Sequence, residues 1–488
     1  MRESHSVRNG NYFYTGSWRR KLASCYLLPM KELSPEEATA TLQHSLRDGG
    51  AHAFMLGAGE SYLSAFAVAL QATSAQIGLF GALPPLVGAA AHATGLWLLR
   101  LVSSRRRLVL IPAVLQALVW LFLAILSAVF GPGPLTVWLL IGCVLLYHLF
   151  GSIGAPAWNS LVGDIVPSEI RGKYFAKRSR VCGMVTFLGL LIGGSLLESF
   201  SGVSGELNGY TMIFLLAFLA RLVSAYYLAR HADPAHTYDP EQHFSLQSFI
   251  LRMRRSNFGI FVFFVAMLHF AVWISAPYFA PYMLRDIQLS YFNYMIVLGM
   301  AVASQFLVLS RWGTLVDHFG SKRILEVCAM GVVPLSFIWI FSDSLWYLLL
   351  IQILSGICWA GFNLAALTFL LDAVTPPKRA RCVAYQNIIQ GVLVLLGALV
   401  GALLVGDGIL LDLSTTFDVP ASEYHLVFIV SSVLRLLIVI ALVHRFREVR
   451  DVPVARHREI LFRVTQLKPL TGIVIRPLAA VKEKRSED

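Results

Sequence analysis

Among residues able to do chemistry in this 488-residue chain, Glu60 comes first because of its surroundings. It interrupts the apolar run 51–73, nine residues from the start, which at about 1.5 Å per residue is about 13 Å deep. An ionisable group near a bilayer midplane costs about 2.5–3.5 kcal/mol or more, so it calls for an explanation. Burial favours the neutral acid and water favours the carboxylate, so an acid that alternates between dry and wet surroundings can carry a proton. The structural alternative is a glutamate hydrogen-bonded within its own group of helices. His269 follows 209 positions later (269 − 60), at nearly equivalent depth in a second apolar run, and His148 stands beside Tyr147. Imidazole titrates near neutral pH and can relay a proton or contact a solute; a lone intramembrane histidine is more often a packing residue. Glu60, His269 and His148 are therefore the proton-coupling candidates, with His92 below them.

Two arginines, Arg221 and Arg435, also fall in apolar runs. Their matching positions in the two halves of the chain point to a shared structural job: tying a helix to its neighbours through carbonyl hydrogen bonds, or neutralising a buried acid, with Glu60 the candidate partner of Arg221. Aromatic and amide side chains cluster in other runs: Tyr62, Trp158, Asn159, Trp273, Tyr278, Gln305, Trp359, Asn363, Tyr385, Asn387 and Gln390. Rings that stack and amides that hydrogen-bond suit an amphipathic or sugar-like solute. The bland alternative is interfacial aromatics and helix-to-helix contacts.

The elements that must position these residues are membrane helices. The chain is 57% hydrophobic and 14% charged, with mean hydropathy +0.66, whereas soluble domains carry about 25% charged residues. A net charge of +12 could suggest nucleic acid, but the basic residues sit in short clusters between apolar runs, the positive-inside pattern, and no nucleic-acid partner is expected. The six cysteines show no Cys-x-x-Cys pair, and five lie in apolar segments, so they read as packing residues; no metal and no cofactor is expected.

Twelve runs long enough to span a bilayer are expected at 51–73, 76–102, 108–130, 135–165, 181–200, 210–228, 258–284, 291–312, 324–341, 345–373, 382–405 and 424–444. The fold class is thus an all-α polytopic membrane protein. Basic residues occupy alternate loops, at Arg105–Arg107, Arg171–Arg180, Lys322–Arg323 and Lys378–Arg381, which places both termini in the cytoplasm; Arg285 alone breaks the rule on the outer side. The expected organisation is an N-terminal arm over 1–48, a first six-helix bundle over 49–230, a linker over 231–257, a second bundle over 258–444 and a basic tail over 445–488. Ser34-Pro-Glu-Glu37 opens a short amphipathic helix toward Arg47, residues 1–29 are expected to be disordered or to precede the native start, and a surface helix is expected near 454–467.

The halves repeat. Gly183, Gly189 and Gly193 recur as Gly391, Gly397 and Gly401, each 208 positions later, as do Asp164 as Asp372 and Arg171 as Arg379. An offset of 214 carries Phe214 and Arg221 onto Phe428 and Arg435. The glycines read as small-residue contacts between helices, and the matches argue for two homologous bundles.

Between the eighth and ninth runs stands Gly313-x-x-x-Asp317-x-x-Gly320-x-Lys322-Arg323, a charged turn that resembles the loop signature of the major facilitator superfamily. The first-half copy keeps Gly95 and the basic run but has Leu99 in place of the acid. Asp164-x-x-Pro167-x3-Arg171 and Asp372-x3-Pro376-x2-Arg379 are similar to the family's next loop signature. The glycine-proline motif of many drug/proton antiporters is absent beside Gly193-Gly194. The resemblance implies two pseudo-symmetric six-helix bundles and a gating latch resting on Asp317, with Arg379 or Arg381 as partner. It also implies a secondary active transporter working by alternating access on a small organic solute, coupled to protons through Glu60, monomeric, in lipid contact and in a bacterial inner membrane. The alternative is a non-transporting assembly factor or sensor of the same fold. The loops carry no phosphate-binding glycine loop or nucleophile triad, so an enzyme is not expected.

Overall fold

Among the described residues, apolar runs bounded by capping residues fold into twelve long helical elements. The computed structural model describes residues 35–102, 104–166, 171–200, 205–233, 249–250, 256–374, 376–406 and 422–450. Residues 1–34, with the expected cap at Ser34, the tail helix near 454–467 and most of the linker lie outside them. Helix α1 runs Pro35–Ala58, breaks into a 3-10 turn at Glu60–Tyr62 and resumes as Leu63–Ala69. Then follow α2 (Ser74–Leu101), α3 (Arg105–Val129), α4 (Pro134–Ile165), α5 (Arg171–Phe200) and α6 (Glu206–Ala229). The second half begins with α7 (Asn257–Ser275), which continues through a 3-10 turn, a short α segment and a π turn to Asp286. It proceeds through α8 (Tyr291–Phe319), α9 (Ser321–Val332 and two 3-10 turns), α10 (Leu345–Ala373), α11 (Pro376–Gly406) and α12 (His425–Leu442).

Local chemistry sets the boundaries. Thr73 and Gln76 form a reciprocal capping box at the start of α2, Ser104, Ser256 and Ser290 cap α3, α7 and α8, and Pro134 opens α4. The helix expected to end near Arg47 instead runs unbroken into the first apolar run, so arm and span share one α1. Helices α5 and α11 begin ten and six residues before their apolar runs, and the basic clusters expected in loops are helical there. Hydropathy marks the hydrocarbon layer, whereas a helix continues for as long as its backbone bonds close. Among the described residues, eleven helices are long and apolar enough to cross a membrane; α1, the twelfth, falls short because its first half is polar and Glu60 interrupts its apolar run.

Helix α1 packs on α5 and α6, α2 and α3 pack on α4, and α3 on α6. The same pairings recur as α7 on α11 and α12, α8 and α9 on α10, and α9 on α12. Across the halves α2 lies along α11 and α5 along α8. The repeated glycines make these approaches possible: a Cβ at Gly189 would overlap α1 backbone, and one at Gly397 or Gly401 would overlap carbonyl oxygens of Phe270 and Ile274 on α7. Gly183 and Gly391 do the same job between bundles, against Phe306 and Leu86.

At the end opposite the basic loops a single apolar core runs through both bundles, joining Phe66, Tyr62 and Phe214 to Tyr278, Tyr294 and Phe428. The Arg285 guanidinium donates to the Ala72 carbonyl at 2.8 Å, and the Phe292 N–H to Glu198 at 3.3 Å, both across the bundles. At the basic-loop end the cores are separate, one around Leu108 and Ala157, the other around Phe261 and Phe369. The bundles therefore share one apolar seal at one end and keep separate cores at the other.

Candidate functional site

Gly59 lets α1 approach closely, since a Cβ there would lie 2.7 Å from Ala217 Cβ and 2.9 Å from the Trp120 ring. The helix breaks at that contact and turns Glu60 inward. The Tyr147 hydroxyl of α4 donates to Glu60 Oε2 at 2.5 Å. Asp48, His52, Leu56 and Glu60 follow at four-residue spacing, one face of a helix, and all four line a cavity of about 380 Å³. Its walls are all from the first bundle and include Gln116 of α3, His148, Trp158 and Asn159 of α4, Arg178 of α5 and Arg221 of α6.

The acid that answers Arg221 is Asp48, through a hydroxyl: Arg221 Nη1 donates to Ser224 Oγ at 2.7 Å, and Ser224 Oγ donates to Asp48 Oδ1 at 2.6 Å. Arg178 approaches the other carboxylate oxygen at 3.9 Å and lies over the Trp158 ring, 4.4 Å from its centroid. Glu60, the expected partner of Arg221, takes its hydrogen bond from Tyr147 instead. Arg435 donates to the Val332 carbonyl at 3.1 Å and to Ser275 Oγ at 3.0 Å. No carboxylate pairs with it among the described residues.

Two further cavities lie between the bundles. One, of about 440 Å³, is bordered by Glu60 and Ser64 of α1, Phe80 of α2, Trp273 and Phe279 on and after α7, and Tyr294 of α8. The other, of about 450 Å³, gathers His92 of α2, His148 and Ser152 of α4, His269 and Trp273 of α7, and Asn387 and Gln390 of α11. Glu60 thus borders the first-bundle cavity and one cavity between bundles, while His148 borders the first-bundle cavity and the other. His269 also holds the Val265 carbonyl through Nδ1 at 2.8 Å and packs beside Trp359.

The remaining candidates lie elsewhere. Tyr62 is fully buried, donates to the Leu190 carbonyl and is clasped by Gly193 and Gly194. Tyr278 donates to the Ser74 carbonyl at 3.4 Å and stacks with Tyr424 at the sealed end. Tyr385 packs against Phe249, Gln305 is half-buried on α8, and Asn363 is exposed on α10.

The charged turn is shorter than its motif. Gly313 and Asp317 lie within α8, and Gly320 alone makes the turn, with φ of 83° in the left-handed region that favours glycine. Asp317 is 79% exposed and meets Arg450 Nη1 at 3.5 Å. Arg450 in turn grips Asp372 of α10 through Nε at 2.7 Å and Nη2 at 3.0 Å. The expected partners Arg379 and Arg381 have side chains outside the described residues. Lys322 and Arg323 both pair with Glu326, at 3.2 and 2.9 Å. Glu448 caps α9, accepting from the Lys322 N–H at 2.7 Å, as Asp233 caps α3 by accepting from the Arg106 N–H at 3.3 Å and Ser104 Oγ at 2.6 Å.

Sequence reasoning missed Asp48, Arg178, Ser224, Gln116 and Arg450. The four-residue stripe from Asp48 to Glu60 was a usable signal, as was the acid after the sixth helix of each half, Asp233 and Glu448, 215 positions apart (448 − 233). Nothing local marks Arg450.

Two repeated six-helix halves with polar cavities at mid-depth define the class: a polytopic integral membrane protein of solute-transporter architecture. The sequence profile of the Major Facilitator Superfamily matches residues 51–311 and again 261–481, so the chain belongs to that superfamily. Solved structures share the fold. A point mutant of the nucleoside transporter NupG aligns with TM-score 0.61 at 13% identity over 83% of this chain and all 100% of that one. A D-xylose-proton symporter aligns with TM-score 0.61 at 15% identity, over 85% and 98% of the two chains. A bacterial homologue of the iron transporter ferroportin, in an inward-facing state, gives 0.58 at 14% identity, over 85% and 99%. No curated protein sequence matches the chain.

Proposed function

We propose that the protein is a secondary active transporter that moves a small organic solute by rocking its two bundles about cavities at mid-depth, coupled to protons through Glu60. The observation that carries this is the place of Glu60, held by Tyr147 and bordering both the first-bundle cavity and a cavity between the bundles. An acid at such a junction changes protonation as the bundles move and its water access changes. Trp273, Asn387 and Gln390 offer a ring and two amides to an amphipathic or sugar-like solute, a class that agrees with the D-xylose-proton symporter among the structural neighbours. With the basic loops in the cytoplasm, the sealed end is outside and the arrangement is inward-facing.

The test has two stages. A thermal-shift screen of purified protein against metabolites identifies a ligand, because binding to the folded state raises apparent stability. Uptake of that ligand into proteoliposomes is then followed with an imposed pH gradient. Glu60→Gln is expected to abolish uphill accumulation while downhill exchange persists; uphill, pH-dependent uptake by the variant overturns coupling through Glu60.

A further inference from the structure

We propose that the interior of the first bundle is a hydrated proton path to Glu60, separate from the solute cavities between the bundles. The proposal rests on the coupling role of Glu60 given above and adds the route by which its proton arrives. The cavity follows α1 from Asp48 to Glu60, about 18 Å at about 1.5 Å per residue. It begins near the basic-loop end, where Asp48 and Arg178 lie, and reaches the acid at mid-depth.

Its lining is one that water satisfies. Gln116 Oε1, Arg221 Nε and His52 Nδ1 are buried and have no protein partner among the described residues, and the Gln116 and Arg221 residues are 3% and 8% exposed. Buried polar atoms without a protein partner, around a space large enough for several waters, are normally bridged by them. Charge along the path is balanced: Asp48 and Glu60 face Arg178 and Arg221, with His52, Tyr147 and His148 between them. A hydronium ion from the bulk solution, relayed along the cavity water, gives its proton to the Glu60 carboxylate and leaves neutral water and the neutral acid; release of that proton to water on the other side of Glu60, as hydronium, restores the carboxylate.

The second bundle shows that the fold does not require such a space. Offset by 209 positions (261 − 52 and 269 − 60), His52 corresponds to Phe261 and Glu60 to His269. Phe261 is fully buried with its ring 4.4 Å from that of Phe369, inside a continuous apolar core with Phe264, Trp312 and Phe362. One bundle is filled with aromatic rings where the other holds a polar cavity.

The test follows the Glu60 carboxyl by infrared difference spectroscopy on full-length protein in liposomes after a jump from alkaline to acidic buffer. The band is assigned by its loss in Glu60→Gln. His52→Phe combined with Gln116→Leu, which gives the path the apolar character of the second bundle, is expected to slow protonation of Glu60 by more than an order of magnitude. Ser64→Phe, which narrows a cavity between the bundles, is expected to leave the rate unchanged. An unchanged rate in the double variant, or equal slowing by Ser64→Phe, overturns the separate path while leaving coupling through Glu60 intact. A wild-type band that does not respond to pH overturns the coupling itself. Should the double variant fail to fold, His52→Cys is blocked after purification with a thiosulfonate reagent and read in the same way.

Discussion

Asp48 and Arg221 depend on each other at the residue scale. Both are buried and joined through Ser224. Removing one member of such a pair leaves an uncompensated charge, which costs about 3–5 kcal/mol. Asp48→Asn is therefore expected to destabilise the first bundle by about that amount in thermal unfolding of the purified protein, and the addition of Arg221→Met is expected to restore most of it. Equal destabilisation by the single and double variants would rule out the pairing. Arg435, at the position equivalent to Arg221, meets a carbonyl and a serine hydroxyl instead. Asn257 stands where repeat alignment places the counterpart of Asp48, 209 positions on (257 − 48), so the two halves solve the same arginine in different ways.

At the scale of elements, the loop motif acts as a strap within the second bundle. Arg450 ties the chain beyond α12 to α10 and α8, and Glu448 caps α9. The two acids contribute unequally. Asp317 is exposed and held at 3.5 Å, the geometry of a surface pair worth about 0–1 kcal/mol, whereas Asp372 is 20% exposed, accepts a hydrogen bond from Arg450 Nη2 at 3.0 Å and lies 2.7 Å from its Nε. Hydrogen exchange over residues 446–450 is expected to rise sharply in Arg450→Ala and Asp372→Asn, and only slightly in Asp317→Asn. The reverse order would remove Asp372 from its place as the main anchor. Leu99 in the first-half copy of the motif supplies no carboxylate, so Asp317 has no acidic counterpart at that position.

For the molecule as a whole, the proposed rocking of the bundles would have to open the apolar seal opposite the basic loops. Arg285, the one cation out of place by the loop-charge pattern, is explained there: it crosses from the end of α7 to the Ala72 carbonyl. Arg285→Ala removes a charged hydrogen bond worth about 1.5–3 kcal/mol from the sealed state alone. It is expected to shift the population toward opening at that end, read as increased interbundle distance by paired spin labels. An unchanged distance distribution would show that the apolar core from Phe66 to Phe428 holds the seal without it.

The sequence by itself determined the architecture: twelve apolar runs, alternation of basic loops and glycines repeating at 208 positions all lie along one dimension, where hydropathy and spacing are legible. It also singled out Glu60, because a lone acid in an apolar run is conspicuous. Helix ends were less legible, since α5 and α11 continue as helices through their basic clusters. Only the tertiary structure decided the partners. Ser224 and Asp48 are 176 positions apart and Tyr147 and Glu60 are 87 apart, and meetings over such separations depend on which helix faces turn toward each other. The same holds for the hollow first bundle and the filled second, which follow from how side chains at equivalent positions pack in three dimensions.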